Sequence, residues 1–296
     1  MNTMRSAALV LAAALAVAAP VATVGAQEAG TGVQELTAGT SGNTLTLSGT
    51  ATFVDVPRQV GEDPSGDAAV AGVGADVTTM TIARPNPASN NVTFTFGVAD
   101  APPAANGTPQ TLYVWPVSAN GQDDSFYLEA RHVSTLFPTS QNPTFKLMQD
   151  QPEGFADIAT LTGVMDGTKV SFTVPLFRIN AQGGSTIGQG GAGGGLGTTI
   201  GVPGALRFNG NLLGDSAFLD GPDYEVPEAR VTFGLAPAGT PPSAVATSNA
   251  AVVTPSTGAF SANLNLSGMA PGEYVLVTKA CYGSTNCGLA STDVTI

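Results

Sequence analysis

Apolar and polar residues alternate with a period of two over most of this chain. In NTLTLSGTATFV the positions Leu45, Leu47, Ala51 and Phe53 fall on one side of an extended strand. Thr44, Thr46, Ser48, Thr50 and Thr52 fall on the other. NVTFTFGV repeats the pattern with Val92, Phe94, Phe96 and Val98, and SFYLEARHV sets Phe126, Leu128, Ala130 and His132 against Tyr127, Glu129 and Arg131. Further strands are predicted at DVTTMTIA and TLYVWPV. IATLTGVMDGTKVSFTV predicts a hairpin turning at Asp166-Gly167, a dipeptide that accepts the positive φ of a type I′ turn. Gly, Pro and Asn turns separate these runs, and after residue 26 no window shows helical spacing. The fold class expected is all-β, an antiparallel β-sandwich followed by a smaller one.

The alternation stops in AQGGSTIGQGGAGGGLGTTIGVPG, residues 181–204. This stretch has too few apolar side chains to offset the entropy of ordering it, so a mobile loop or an excursion between strands is expected. It is not a phosphate loop, because neither GK[ST] nor a helix follows. Strands resume in RVTFGLAP, AAVVTP, GAFSANLNL, GEYVLVTKAC and GLASTDVTI, with Phe260, Ala262, Leu264 and Leu266 on one face. The expected division is a sandwich over 27–228 and an immunoglobulin-like unit over 229–296.

Residues 1–26 change the cellular picture. Arg5, the apolar run AALVLAAALAVAA, Pro20 and the small residues Val24-Gly25-Ala26 have the form of a secretory signal cleaved after Ala26. The run is too short and too Ala-rich for a membrane span. A secreted, extracellular protein is expected. Of ten Lys/Arg, Arg5 lies in this leader, leaving nine against 22 Asp/Glu and a formal charge of −13. Such a field repels phosphate backbones and anionic lipid, which disfavours nucleic acid and leaves cations and neutral ligands open. The chain's two cysteines, Cys281 and Cys287, frame YGSTN. In an exported chain this spacing predicts a disulfide at a hairpin tip, worth about 2 kcal/mol for so short a ring.

DPSGDA, ADVTTMTI, NNVTFTFGV, DGTKVSFTVPL and LLGDSAFLDGPDYEV together resemble secreted bacterial β-sandwich modules related to family 9 carbohydrate-binding and DOMON-like domains. The resemblance covers most of residues 40–228. It implies a sandwich and opens two ligand classes, a glycan or other cell-envelope component, and haem. The tryptophan-rich start of sugar-binding members is absent, and Trp115 is the one tryptophan. A DOMON-type haem implies an axial pair such as His132 with Met80, Met148 or Met165. The C-terminal unit resembles bacterial immunoglobulin-like domains, and its Cys hairpin faintly resembles neocarzinostatin-like sandwiches.

Four stretches carry candidate chemistry, each with a plainer alternative. EDPSGDAAVAGVGAD gathers Glu62, Asp63, Asp67 and Asp76 among glycines, and GDSAFLDGPDYE adds Asp215, Asp220 and Asp223. These carboxylates could share a calcium ion if the fold brings both loops to one edge, since calcium takes six to eight oxygens from flexible loops. Alternatively, Asp-Pro and Gly-Asp simply form turns. Tyr113 and Trp115 alternate on one strand and could stack a sugar ring, or pack a core. His132, the single histidine, follows Phe126 and Leu128 onto one face, where a hydrogen-bonded neutral imidazole is the plain reading. No G-x-S-x-G elbow is present, and a close pair among 22 acids carries no weight for glycoside cleavage. The resulting expectation is a non-catalytic binding or structural protein of the extracellular space or cell envelope, stabilised by calcium. A carbohydrate-binding module using Tyr113 and Trp115 is the first alternative, and a carboxylate-based glycoside hydrolase the second. Calcium is the one cofactor considered beyond haem.

Overall fold

Burial follows the period-two pattern strand by strand. In Asn91–Val98 the residues Val92, Phe94, Phe96 and Val98 are buried while their neighbours are half-exposed. Leu45, Leu47, Ala51 and Phe53 are buried as the alternation predicts. A computed structural model describes residues 21–23, 30–62, 65–66, 76–100, 111–120, 126–132, 143–152, 154–189, 192–196, 199–202, 205–208, 213–217 and 224–296. Positions 111–116, 131–132, 192–196 and 213–217 are among those described as backbone only. The described chain is almost entirely strand, in antiparallel sheets, with two short 3₁₀ turns.

The larger sandwich has two sheets. One runs in the order Thr162–Asp166, Lys169–Pro175, Asn91–Val98, Val77–Ala83, Arg58–Glu62. The other runs Gly154–Thr160, Thr144–Gln151, Phe126–His132, Thr111–Ala119, Thr186–Gln189, Tyr224–Glu225. Their facing sides share one core that includes Met80, Ile82, Phe94, Phe96, Phe126, Leu128, Leu147 and Phe172. Phe172 meets Phe96 and Phe145 edge-on, at centroid separations of 6.1 and 5.6 Å. Such T-shaped contacts add modestly to the area that the rings bury.

The smaller sandwich is assembled from both ends of the chain, and here the expected division at residue 228 is corrected. One sheet runs Val21–Thr23, Gly32–Ser41, Thr44–Thr52, Ala259–Asn265, Val252–Thr254. The other runs Asn249–Ala250, Ala229–Pro237, Glu273–Tyr282, Asn286–Thr295. Thr44–Thr52 pairs with Ala259–Asn265 from Thr50↔Ala259 to Thr44↔Asn265. Leu36, Leu45 and Leu47 therefore share a core with Phe233, Phe260 and Leu276 rather than with the larger sandwich. The physical reason is that a strand's alternation names its buried face but not the sheet it faces. The chain starts the small sandwich, leaves at Phe53 to build the large one, and returns near Val226 to finish the first.

Two local expectations also change. The hairpin at 162–175 turns on Gly167-Thr168, one residue later than predicted, because Asp166 pairs with Lys169 as the last strand position. Of the two turn residues only Gly167 has positive φ, at 55°, so the type I′ geometry is not adopted. The glycine-rich stretch is not a structureless loop in its described parts. Ala192–Leu196 pairs on one side with 111–114 and on the other with Leu213–Ala217. Thr199–Val202 pairs with Ala205–Phe208. Glycines there lack side chains to bury, yet keep the N–H and C=O groups that a ladder uses. The leader lies outside the described residues except Val21–Thr23, which pairs with Thr37–Glu35. Cleavage after Ala26 would remove that strand and leave Glu35–Thr37 at the sheet edge. Among the described residues no helix is long and apolar enough to cross a membrane.

Candidate functional site

The two sandwiches are joined by two extended segments, residues 53–57 leading out of the small sandwich and 226–228 leading back. A polar cluster forms where these segments pass each other. Arg84 follows strand Val77–Ala83 and is 6% exposed. Proline at 85 and 87 cannot continue a ladder, so the chain turns sharply there. Asn86 Oδ1 supports the turn by accepting the Ala88 N–H at 2.9 Å. The turn carries its carbonyls back over the guanidinium. Arg84 Nε and Nη2 donate to Ser89 O at 3.1 and 3.0 Å, and Nη2 also reaches Pro87 O at 3.3 Å. Nη1 donates to Pro227 O, on the returning segment, at 2.6 Å. A buried charge is tolerable only when its donors are met in this way.

Asp55, on the outgoing segment, accepts the backbone N–H groups of Arg84 and Val56. Its Oδ2 is buried with no hydrogen-bond partner. Burial pushes the Asp55 carboxyl above the usual carboxylate range, and those two N–H groups and the Arg84 charge only partly offset this. The Tyr282 hydroxyl, from the small sandwich, donates to the Arg84 carbonyl at 2.7 Å. Burial pushes the Tyr282 phenol up to about 12. Tyr224 is 3% exposed, and its hydroxyl is also without a partner. Burial, and then the charge of Asp55, push that phenol far above its ordinary value. Both tyrosines are neutral at any physiological pH.

The disulfide hairpin clamps both segments. Cys281 and Cys287 are bonded, with Cα atoms 4.1 Å apart, and close the tip between Glu273–Tyr282 and Asn286–Thr295. From that tip Asn286 Nδ2 donates to Val54 O at 2.6 Å, and the Gly283 N–H donates to Glu228 O at 3.1 Å. Thr31 Oγ1 accepts the Val54 N–H at 3.0 Å on the same segment.

Two cavities flank this seam. A groove of about 740 Å³ is lined from both sandwiches, by Arg84, Asn90 and Gln182 on one wall and Glu228, Arg230 and Val253 on the other. Glu228 and Arg230 form an exposed ion pair at 3.7 Å. Gly183 lets the wall approach the guanidinium, because a Cβ there would come within 3.2 Å of Arg84 Nη1. The second cavity, about 120 Å³, is lined by Asp55, Arg58, Tyr224, Glu225, Tyr282 and Asn286, among others. The arrangement can grip polar ligands through charge and side-chain amides.

Of the sequence-predicted residues, Cys281 and Cys287 lie at the seam. Asp63, Asp67, Asp220 and Asp223 lie outside the described residues. Asp76 is buried, and its Oδ2 accepts the Gly66 N–H at 2.7 Å while Oδ1 has no partner. Asp215 sits in Leu213–Ala217, opposite Gly194, and that strand packs near Val77–Ala83. Among the described residues no three His, Cys, Asp or Glu group as metal ligands. Register sets Tyr113 opposite Ala130 and Trp115 opposite Leu128, both buried core residues. His132 pairs with Thr111 at the end of its strand. The seam residues Asp55, Arg84, Tyr224 and Tyr282 escaped the sequence reading. A faint signal existed, since Arg84 is a rare cation ending an apolar strand before two prolines.

Comparison with family models, with curated proteins and with solved structures finds no match to this chain. Fold and seam define an all-β protein of two antiparallel sandwiches with a disulfide hairpin at their junction.

Proposed function

We propose that this is a non-catalytic binding protein of the extracellular space or cell envelope, with the groove between the sandwiches as its ligand site. The observation that carries the reading is the groove of about 740 Å³ at the junction, walled by both sandwiches and edged with Asn90, Gln182, Glu228 and Arg230. Ligand sites favour such junctions, and volumes of roughly 300–1,000 Å³ are typical of them. Two amides and an ion pair suit a neutral, hydrogen-bonding ligand such as a glycan or another envelope component. The test is binding of the full-length protein to arrayed glycans and isolated envelope polymers, with Gln182→Ala and Arg230→Ala as variants. Saturable binding weakened by both substitutions supports the reading. Binding that both leave intact while Trp115→Ala abolishes it would move the site to the Tyr113–Trp115 strand.

A second observation favours stabilisation by a cation. Asp76 has a buried oxygen without a partner, and the strand that follows it, Val77–Ala83, packs near Leu213–Ala217, which carries Asp215. Calcium at millimolar concentration then raises the melting temperature over that in chelator, and Asp76→Asn removes the difference. Equal midpoints for the wild-type chain with and without calcium would rule it out.

A further inference from the structure

The groove opens where the chain leaves one sheet of the small sandwich for the other. Asn249–Ala250 pairs with Ala229–Pro237 only at Thr232 and Phe233, and the Ala251 N–H then donates to Val231 O at 2.9 Å. Continuing that register would set Val253 opposite Ala229. The chain turns away instead, and Val252–Thr254 becomes the edge of the facing sheet, paired with Ala259–Asn265. Ala229 and Val253 are left on the lining of the groove. Paired strands send the main-chain groups of alternate residues to opposite sides. Glu228 O accepts from Gly283 on the hairpin side, while Val231 O accepts from Ala251 on the other. Ala229 therefore turns its N–H and C=O into the groove. On the facing wall Thr254 O accepts the Gly258 N–H at 2.9 Å, at the turn into its partner strand. Val253, next to it, turns its own N–H and C=O outward to the open edge. Among the described residues no other strand pairs along either edge here.

Two donors and two acceptors, each set spaced as on an extended residue, are met in full by another extended chain. Side chains narrow the choice. Glu228 and Arg230 flank Ala229 on one face of its strand and are both half-exposed. An antiparallel segment centred on Ala229 sets its preceding residue opposite Arg230 and its following residue opposite Glu228. Opposite charges directly across a strand pair stabilise it, and like charges destabilise it. We propose that the groove binds an extended peptide, added antiparallel at Ala229, with an acidic residue just before the one that pairs there and a basic residue just after. The central residue exchanges both bonds with Ala229. The C=O of the residue before it and the N–H of the residue after it point the other way, to Val253. This names the ligand class of the groove and rests on the groove being a ligand site.

The experiment titrates the full-length, disulfide-bonded protein, labelled with nitrogen-15, with the acetylated and amidated pentapeptide Thr-Glu-Val-Lys-Thr. Its charges cancel, so the overall field of a −12 chain does not decide the result. The expected outcome is saturable shifts of the Ala229 and Val253 amides, with a Kd of about 1 mM or tighter, the scale of four net hydrogen bonds. The isomer Thr-Lys-Val-Glu-Thr reverses both charge contacts and binds at least about threefold more weakly. N-methylation of the valine removes the N–H aimed at Ala229 O and abolishes binding. Ala229→Pro and Val253→Pro each delete one groove-facing N–H, at the first residue of a strand and on an edge strand, where proline is tolerated. Each weakens binding at least about threefold while far-ultraviolet dichroism stays native. If either fails to fold, the three peptides on the wild-type chain still decide. No saturable shift up to about 10 mM, equal affinity for the two isomers, or indifference to N-methylation would each overturn the proposal. So would shifts that follow protein concentration instead of peptide, which give the groove to a second copy. Glycan binding weakened by Gln182→Ala and Arg230→Ala, without peptide binding, overturns the peptide and keeps the groove as a site; with neither ligand bound, both readings fall.

Discussion

Gly49 offers a sharp probe of the interlocked small sandwich. It sits in Thr44–Thr52, opposite Leu36 on one neighbouring strand and Phe260 on the other. A Cβ added there would overlap the Glu35 carbonyl oxygen and stand 2.6 Å from Phe260 Cζ. The ring could swing aside, but the Glu35 carbonyl is backbone beside a bulge between Val33 and Glu35, and has little room to yield. Overpacking of a core costs about 1–3 kcal/mol, and a backbone clash belongs at the upper end. Residues 30–54 and 229–296 make a unit of roughly 90 residues, for which each kcal/mol shifts the midpoint by about 4–8 °C. Gly49→Ala should therefore lower the small sandwich's melting point by roughly 12–24 °C. Trp115, the sole tryptophan, belongs to the large sandwich, so its fluorescence follows that half separately from the dichroism of the whole. The expected outcome is an early dichroism transition and early proteolysis within 229–296, with the Trp115 transition moved less. If 229–296 keeps its wild-type resistance and midpoint, Gly49 is not wedged between the two ends of the chain.

Other consequences of the seam can be measured directly. Tyr282→Phe leaves the buried Arg84 carbonyl without its donor and should cost about 1–3 kcal/mol by urea unfolding; no change would mean that this bond does not hold the sandwiches together. Asp55 is harder to ionise folded than unfolded, so its contribution is fully present below its unfolded value of 3.8 and is lost as pH rises through the raised folded value. Asp55→Asn should thus flatten the fall in stability over that interval and gain stability at neutral pH, which melts across a pH series would reveal. Replacing both Cys281 and Cys287 by serine should cost about 2 kcal/mol and loosen the clamp on Val54 and Glu228, seen as faster hydrogen exchange at the Gly283 amide, which donates to Glu228 O.

Much of the fold was legible because buried strands print their faces in the sequence. Val92, Phe94, Phe96 and Val98, and Leu45, Leu47, Ala51 and Phe53, all face a core as their spacing predicted. The disulfide followed from the Cys281–Cys287 spacing and an expected export signal. What alternation does not encode is partnership across sequence. Nothing in NTLTLSGTATFV says that it pairs with a strand some 210 residues later, because its threonine and leucine faces would suit either sandwich. The glycine-rich segment misled for a related reason, since its strands are specified by the neighbouring ladder and not by side chains of its own. The seam was hidden because its working parts are scattered singletons at 55, 84, 224 and 282. Arg84 is satisfied by carbonyls, which leave no mark in residue identity.

The account rests on the chain's two ends closing into one sandwich, since the groove and the small pocket exist only along the seam that this closure makes. Ser48 and Ser261 are exposed and directly opposite each other in the pairing that joins those ends. Opposed antiparallel positions have Cα separations that a disulfide can span. Ser48→Cys combined with Ser261→Cys should therefore crosslink in the native full-length protein under mild oxidant, with the Cys281–Cys287 bond intact by peptide mapping. Two new thiols that stay free and alkylate fully under the same conditions would contradict it.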